Sequence, residues 1–365
     1  MSGEMEGRLP SKGPLSSFRV SDPYLGELNR QDQPLVSVIT PVYNGEEYLA
    51  ECIESVLAQT YQNWDYTIVN NCSTDRTLEI AQAFALRDRR IRIHTNDRFA
   101  PVIENHNIAL RQISPASKYC KVVFADDWLF PRCIEEMVRV AEANPSVGIV
   151  GAYGLDGTQV LWSGLPYPGE YVRGREICRQ TLLGGPYVFG TPASLLIRSE
   201  LVRSRNSFYN EANLHADYEA CFEVLQDSDF GFVHQVLTFS RPRPGSNAET
   251  ARTLESYILG TLSAIISHGR VYLTREEYDR RLEQRTTQYY RVLAKSFLRL
   301  RDKNFWRFHR ERLEKVGHPL DRSRLARAIV REFLARMVHP LDALDGVRNW
   351  WPTALSRSEK KHGRD

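Results

Sequence analysis

The sequence contains no run of the roughly 18 apolar residues that a membrane-spanning helix needs. Its longest candidate, Tyr257 to Ser267, is too short and reads as a buried helix. Met1 to Pro34 lacks the apolar stretch of a secretory leader, which predicts a cytoplasmic protein. The six cysteines (Cys52, Cys72, Cys120, Cys133, Cys178 and Cys221) stand apart, with no Cys-x-x-Cys pair. That scatter argues against a zinc module or a disulfide framework and suits a reducing compartment. A glycine-rich phosphate loop is also missing. The segment after the first apolar run, Pro41-Val42-Tyr43-Asn44-Gly45, has a single glycine, which disfavours a nucleotidyltransferase. There is no internal repeat, and the basic region carries no nucleic-acid-binding motif.

What is present is the composition of a globular protein: 365 residues, 42% hydrophobic and 25% charged. That length suggests one large domain with an appendage, or two domains. The net charge of +3 hides an asymmetry. Residues 251–365 hold 25 Lys+Arg against 14 Asp+Glu, so the front of the chain is acidic and the back basic. Residues 1–33 mix Gly, Ser, Pro and charge without periodicity and read as an N-terminal arm.

From Leu35 the texture alternates. Val36 to Thr40 reads as a buried strand ended by Pro41, and Tyr48 to Leu57 as an amphipathic helix that Asn44 could cap. Strands at Tyr66–Val69, Ile91–His94, Lys121–Phe124 and Gly148–Val150 are separated by helices at Asp75–Leu86, Val102–Gln112 and Arg132–Ala143. Such alternation predicts an α/β fold with a mainly parallel sheet flanked by helices. Between Ala152 and Arg205 the pattern loosens into Gly- and Pro-rich loops, with short strands at Val160–Trp162 and Ser194–Ile197. A helix at Asp217–Gln226 and a strand at Gly231–Ser240 follow. Beyond Glu249, helices are expected at Leu254–Ile266, Arg275–Leu300, Phe305–Val316 and Arg322–Met337.

Ligands of open parallel sheets bind outside the carboxyl ends of the strands. Three such ends are polar here: Thr40 to Asn44, Asn70 to Asp75, and Phe124 to Trp128. The adjacent carboxylates Asp126 and Asp127 would repel each other in a cleft unless a cation or hydrogen-bond donors compensate. Mg²⁺ or Mn²⁺, completed by phosphate oxygens and water, is one solution. The other reading is a helix N-cap ahead of Pro131.

Four blocks narrow the choice: Val36-Ser37-Val38-Ile39-Thr40-Pro41-Val42-Tyr43-Asn44, Ser55-Val56-Leu57-Ala58-Gln59-Thr60-Tyr61, Ser73-Thr74-Asp75-Arg76-Thr77 and Ala125-Asp126-Asp127. In this order and spacing they resemble the N-terminal signature of glycosyltransferase family 2. The likeness is strong over residues 35–145 and weaker to about 245. It implies a GT-A domain over residues 34–250 followed by a basic, α-helical C-terminal region over 251–365. It also implies a nucleotide-sugar donor, a Mg²⁺ or Mn²⁺ cofactor and inversion at the anomeric carbon.

The resemblance places Pro41, Tyr43 and Asn44 at the donor pocket, with Tyr43 stacking on the base. Asn71 stands where the family usually has an aspartate that accepts from the base. Its amide can accept from uracil or thymine and also donate, which admits cytosine; a UDP-sugar is favoured. His106 occupies a position where relatives place an arginine, and reads either as a phosphate contact or as a structural histidine. Asp126 is expected near ribose and metal, and Asp127 on the metal itself. Phe124 replaces an often acidic residue, leaving two carboxylates for the cation.

In Leu214-His215-Ala216-Asp217-Tyr218-Glu219, Asp217 aligns with the family's general base; a helix cap is the plainer reading. Glu219 should face elsewhere. Arg241 and Arg243 read as diphosphate contacts or as a solvated loop. The tail interleaves Phe305, Trp306, Phe308, Trp350 and Trp351 with arginines, which suits either peripheral contact with the inner face of a membrane or ordinary solvated helices. The resulting expectation is an inverting glycosyltransferase acting on a glycan or lipid-linked acceptor in polysaccharide or glycolipid assembly. Its rival, suggested by Asn70 and Asn71, is a non-catalytic nucleotide-sugar-binding protein of the same fold.

Overall fold

A computed structural model of the chain describes residues 33–161, 163–243 and 247–338. Trp162, Trp350, Trp351 and the expected arm, apart from Gln33, lie outside the described residues. The front of the chain runs β1 (Val36–Val42), α1 (Leu49–Leu57), β2 (Trp64–Asn70), α2 (Thr77–Arg87), β3 (Ile91–Thr95), α3 (Val102–Leu110), β4 (Tyr119–Val122), β5 (Trp128–Leu129) and α4 (Cys133–Ala143). It continues through β6 (Val147–Asp156), β7 (Gln159–Leu161), β8 (Tyr171–Val172), α5 (Gly174–Leu182), a 3-10 turn (Pro192–Ser194), β9 (Leu195–Arg198) and α6 (Ser199–Arg203). Then come α7 (Ala216–Val224), β10 (Asp229–Ser240), α8 (Asn247–Thr253), α9 (Ser256–Tyr272), α10 (Arg275–Leu298), α11 (Lys303–Lys315) and α12 (Arg322–Val338). Helices α5, α6 and α8 were not expected from the sequence. Asn44 does not cap α1, whose N-cap is Tyr48.

Among the described residues ten strands form one sheet in the order β3-β2-β1-β4-β9-β6-β10-β5, with β7 on β6 and β8 on β10. β1, β2, β3 and β4 are parallel, β9 runs against both β4 and β6, and β10 is parallel to β6. The sheet is therefore mixed but mainly parallel. The carboxyl ends of β1, β2, β4, β6 and β10 all open on one edge.

Every residue of β1 is buried, because the strand is covered on both faces. Its side chains alternate between two cores: Ile39 joins Val69 and Phe230, while Val36, Val38 and Val42 join Tyr66 and Met137. The polar exceptions are satisfied. Thr40 Oγ1 lies 2.8 Å from the Tyr66 hydroxyl, and Ser37 Oγ accepts from the Ser114 N–H at 2.9 Å. Helices α9 and α10 lay Ala264, Ile265, Tyr272 and Tyr278 into the core that also holds Phe222 and Phe230. Farther on, Tyr289, Leu293, Phe305 and Leu313 build a third cluster, against which Trp306 and Phe308 pack. Those aromatics serve the interior of the helical region and do not form an outward apolar face. Among the described residues no helix is long and apolar enough to cross a membrane.

Lys121, in the middle of β4, is fully buried, and burial holds its ammonium below the usual lysine range. Its Nζ donates to the carbonyls of Ala193 and, at 3.2 Å, Leu195, pinning the turn that feeds the antiparallel β9 into the sheet. A Lys121→Met variant fills similar volume but leaves both carbonyls unpaired. We expect it to lose about 2 kcal/mol of stability, read as a lower urea midpoint with unchanged m-value.

Candidate active site

The loops after β1 and β2 are fastened together. Asn44 adopts a left-handed backbone (φ 49°), and its Oδ1 accepts from the Thr74 N–H at 2.9 Å. The Asn44 N–H donates to Ser73 Oγ (3.0 Å), the Gly45 N–H to Thr77 Oγ1 (2.7 Å) and the Glu46 N–H to Asp75 Oδ2 (3.0 Å). Burial works to raise the Asp75 carboxyl, but donation from the Thr77 hydroxyl and from the Glu46 and Thr77 N–H groups holds it below its ordinary range. The Ser73-Thr74-Asp75-Arg76-Thr77 block thus serves as a clamp on the loop that presents Tyr43. The Tyr43 ring is 49% exposed and meets Phe99, 53% exposed, edge to face at 4.9 Å. Two uncovered aromatics at a polar strand edge make a platform for a planar base. Phe99 was not singled out in the sequence, where it lies in an unpatterned loop.

Asn71 differs from expectation. Its Oδ1 already accepts from the Ala100 N–H (2.9 Å) and from Asn96 Nδ2 (2.8 Å), and its Nδ2 donates to the Ala100 carbonyl (2.8 Å). Both acceptor sites of the carbonyl oxygen are filled, so only an amide N–H remains to offer a ligand. His106 also differs. Its ring stacks on Phe124 at 5.4 Å and faces Tyr209 edge-on at 6.3 Å. Desolvation lowers its imidazole to about 4, so it is neutral at pH 7 and supplies no charge to a phosphate. With Pro41 and Tyr209 it lines an apolar crevice.

Two-residue β5 decides the surroundings of the acidic pair. It pairs antiparallel with β10, Trp128 opposite Phe239, and the next step brings Asp127 opposite Ser240. Asp127 Oδ1 accepts from the Arg241 N–H at 2.9 Å, and Oδ2 from Ser240 Oγ at 3.1 Å. The carboxyl is only 6% exposed; burial first, and then the charge of Asp126, raises it to about 7. Asp126 pairs with Arg243 Nε at 2.5 Å. Arg241 lies over the Tyr48 ring at 4.2 Å and reaches Glu51 at 2.5 Å. Neither arginine belongs to a merely solvated loop, and Asp127 caps no helix, since α4 starts at Cys133 after Arg132.

The second sequence block explains itself here. Gln59 Nε2 donates to the Phe130 carbonyl (2.9 Å), its Oε1 accepts from the Ile134 N–H (3.1 Å), and Ser55 Oγ accepts from the Leu129 N–H (3.2 Å). Together these bonds pin the segment that follows Asp127.

A Mg²⁺ or Mn²⁺ ion fits this corner by one observation. Burial, and after it the charge of Asp126, raises the Asp127 carboxyl, and a cation would relieve that cost. Among the described residues no group of three or more His, Cys, Asp or Glu side chains could hold a metal, so a cation would depend on phosphate oxygens and water for its remaining ligands.

Asp217 sits in the first turn of α7, after the N-cap His215, and its Oδ1 accepts from the Tyr218 N–H at 2.9 Å. Its charge, felt through space, helps to raise the phenols of Tyr187, Tyr209 and Tyr257, after their own burial. Burial raises it to about 6. Glu219 is occupied elsewhere, accepting from Asn213 Nδ2 at 3.0 Å. Tyr209 meets the ring of His106, which stacks on Phe124, two residues before Asp126.

A mainly parallel sheet with its polar loops on one edge and helices on both faces is a GT-A fold. The solved structure of S. aureus TarS 1-349 in complex with UDP-GlcNAc superimposes with a TM-score of 0.52 at 17% identity, over 70% of this chain and 72% of that one. The family described as Glycosyl transferase family 2 matches residues 37–204. EpsE of Bacillus subtilis (strain 168), which bears a glycosyltransferase name, is 32% identical over 227 residues, covering 57% of this chain and 78% of its own. The glycosyltransferase GlyG of Streptococcus pneumoniae serotype 4 is 28% identical over 235 residues, covering 59% and 73%. The chain belongs to glycosyltransferase family 2.

Proposed function

We propose that this glycosyltransferase moves a sugar from a nucleoside-diphosphate donor to an acceptor hydroxyl with inversion, as a step in polysaccharide or glycolipid assembly. The observation that carries the reading is the buried Asp127, beside Asp126 after β4 and held by the Arg241 N–H and the Ser240 hydroxyl. Tyr43 and Phe99 would hold the base, with Pro41 and Asn44 shaping the pocket floor and the remaining N–H of Asn71 meeting a base carbonyl. A pyrimidine fits that donor, and a UDP-sugar is the first to test because TarS, which shares the fold, is seen with UDP-GlcNAc.

Asp217 would take the proton of the acceptor hydroxyl as its oxygen bonds to the anomeric carbon. The bond from that carbon to the diphosphate oxygen breaks from the opposite face, and the nucleoside diphosphate leaves. Asp126 and Asp127 would hold Mg²⁺ or Mn²⁺, which when bound supplies positive charge against the leaving diphosphate. Arg243, released from Asp126, and Arg241 lie close enough to the acidic pair to add to that charge.

The test is donor hydrolysis with UDP-GlcNAc and other UDP-, GDP-, CDP- and dTDP-sugars in Mn²⁺, followed as nucleotide release alongside thermal shift. Asp127-dependent release supports the enzyme. Stabilisation by a donor without any release would favour the non-catalytic binder. For the base platform, Tyr43→Ala is expected to weaken UDP binding about tenfold in calorimetry while leaving the melting temperature of the free protein unchanged, since the ring is half exposed.

A further inference from the structure

Helix α12 has two unlike long faces. Leu325, Ala328 and Glu332 turn inward: the first two pack on the third core cluster, and Glu332 is buried between Arg291 (3.6 Å) and Arg336 (3.5 Å). On the opposite face Val330, Phe333, Leu334 and Met337 are each more than half exposed. Their spacing is i, i+3, i+4, i+7, so at about 100° per residue the four side chains form one stripe of roughly 100° of arc. Isolated exposed apolar residues are unremarkable, but four in register on one helix face need an apolar neighbour.

The charges beside the stripe say which kind. The same helical wheel places Arg327 and Arg331 on one flank and Arg322 on the other, and all three are exposed. The one carboxylate of the helix, Glu332, is turned inward and neutralised. An apolar stripe between arginines matches a layer whose interior is apolar and whose surface is anionic.

We propose that α12 is a monotopic membrane-docking helix: Val330, Phe333, Leu334 and Met337 enter the acyl boundary of an anionic bilayer while Arg322, Arg327 and Arg331 contact its phosphate headgroups. The inference concerns a surface remote in sequence from the acidic pair and does not depend on the transfer reaction. It also shifts membrane contact from Phe305, Trp306 and Phe308, which pack inside the helical region, to the next helix.

The full chain is tested by flotation with vesicles of phosphatidylcholine containing about a quarter phosphatidylglycerol, and with phosphatidylcholine alone. The expected result is flotation with the anionic vesicles and about tenfold less with the neutral ones. Phe333→Asp with Leu334→Asp should abolish it, Arg327→Gln with Arg331→Gln should reduce it about tenfold, and added salt should reduce it in the parent but little in the arginine variant. Because all four positions are exposed, each variant should keep the parent's circular dichroism and melting temperature. The proposal is overturned if the parent ignores anionic vesicles, or if the Asp variant floats as well as the parent. It is equally overturned if the stripe proves to be covered without lipid. A parent dimer that the Asp variant loses would show a second copy there. Protection of a Leu334→Cys thiol from alkylation in the monomer would show residues 339–365 there.

Discussion

Asp217→Asn should lower kcat/KM by about 10²- to 10⁴-fold, the usual loss when a positioned general base is removed. The replacement keeps the shape of the side chain and an oxygen to accept from the Tyr218 N–H, so folding and donor binding should be unchanged. Burial raises the carboxyl to about 6. A base must be ionised to act, so the parent enzyme should lose activity as pH falls below about 6, by roughly tenfold per pH unit. The residual activity of the variant should lack this limb. A variant that retains the limb, or loses less than about threefold in rate, would remove Asp217 from the role.

Asp127→Asn should cost about 10³-fold in transfer and in donor hydrolysis, because it withdraws charge from the proposed cation site. Its effect on stability has the opposite sign. The folded carboxyl titrates at about 7 against an ordinary value of 3.8, so the folded protein binds this proton more tightly than the unfolded chain does. The ionised group therefore costs stability above pH 7, and the cost fades as pH falls from 7 towards 4. In metal-free buffer at pH 8 the Asn variant should be more stable than the parent by on the order of 1–2 kcal/mol, and the difference should vanish near pH 4. Mn²⁺ should narrow the gap at pH 8 by stabilising the parent alone. Equal denaturation midpoints at pH 8 and pH 4 would show that the carboxyl is not strained, and the case for a cation there would fail.

Much of this site could be read from the sequence because its parts are local. A β-branched run ending in a polar turn announces a strand end, and β1, β2 and β4 all lie within a few residues of their expected places. Long amphipathic helices such as α10 and α11 were equally plain. The glycine-rich stretch hid α5, although its buried Ile177, Cys178, Thr181 and Leu182 recur at helical spacing. β5 is two residues long and has no periodicity at all. Its pairing with β10 nevertheless determines that Asp127 meets Ser240 and Arg241, residues more than a hundred positions away. The spent acceptor sites of Asn71 likewise follow from Asn96 and Ala100 folding over it, which only tertiary structure determines.

Tyr272 and Tyr278, from the two helices after residue 255, share an interior with Phe222 and Phe230, and the Tyr272 hydroxyl donates to the Phe222 carbonyl. The α7 turn that carries Asp217 is bolted to α9 as well, through His215 Nε2 at 3.0 Å from the Ser256 carbonyl. The sheet and its loops are consequently no cassette that could be cut free near residue 250 and transplanted. A fragment ending there would bare greasy surface and loosen the turn that carries Asp217, so chimaeras between relatives would have to carry α9 and α10 along with the sheet.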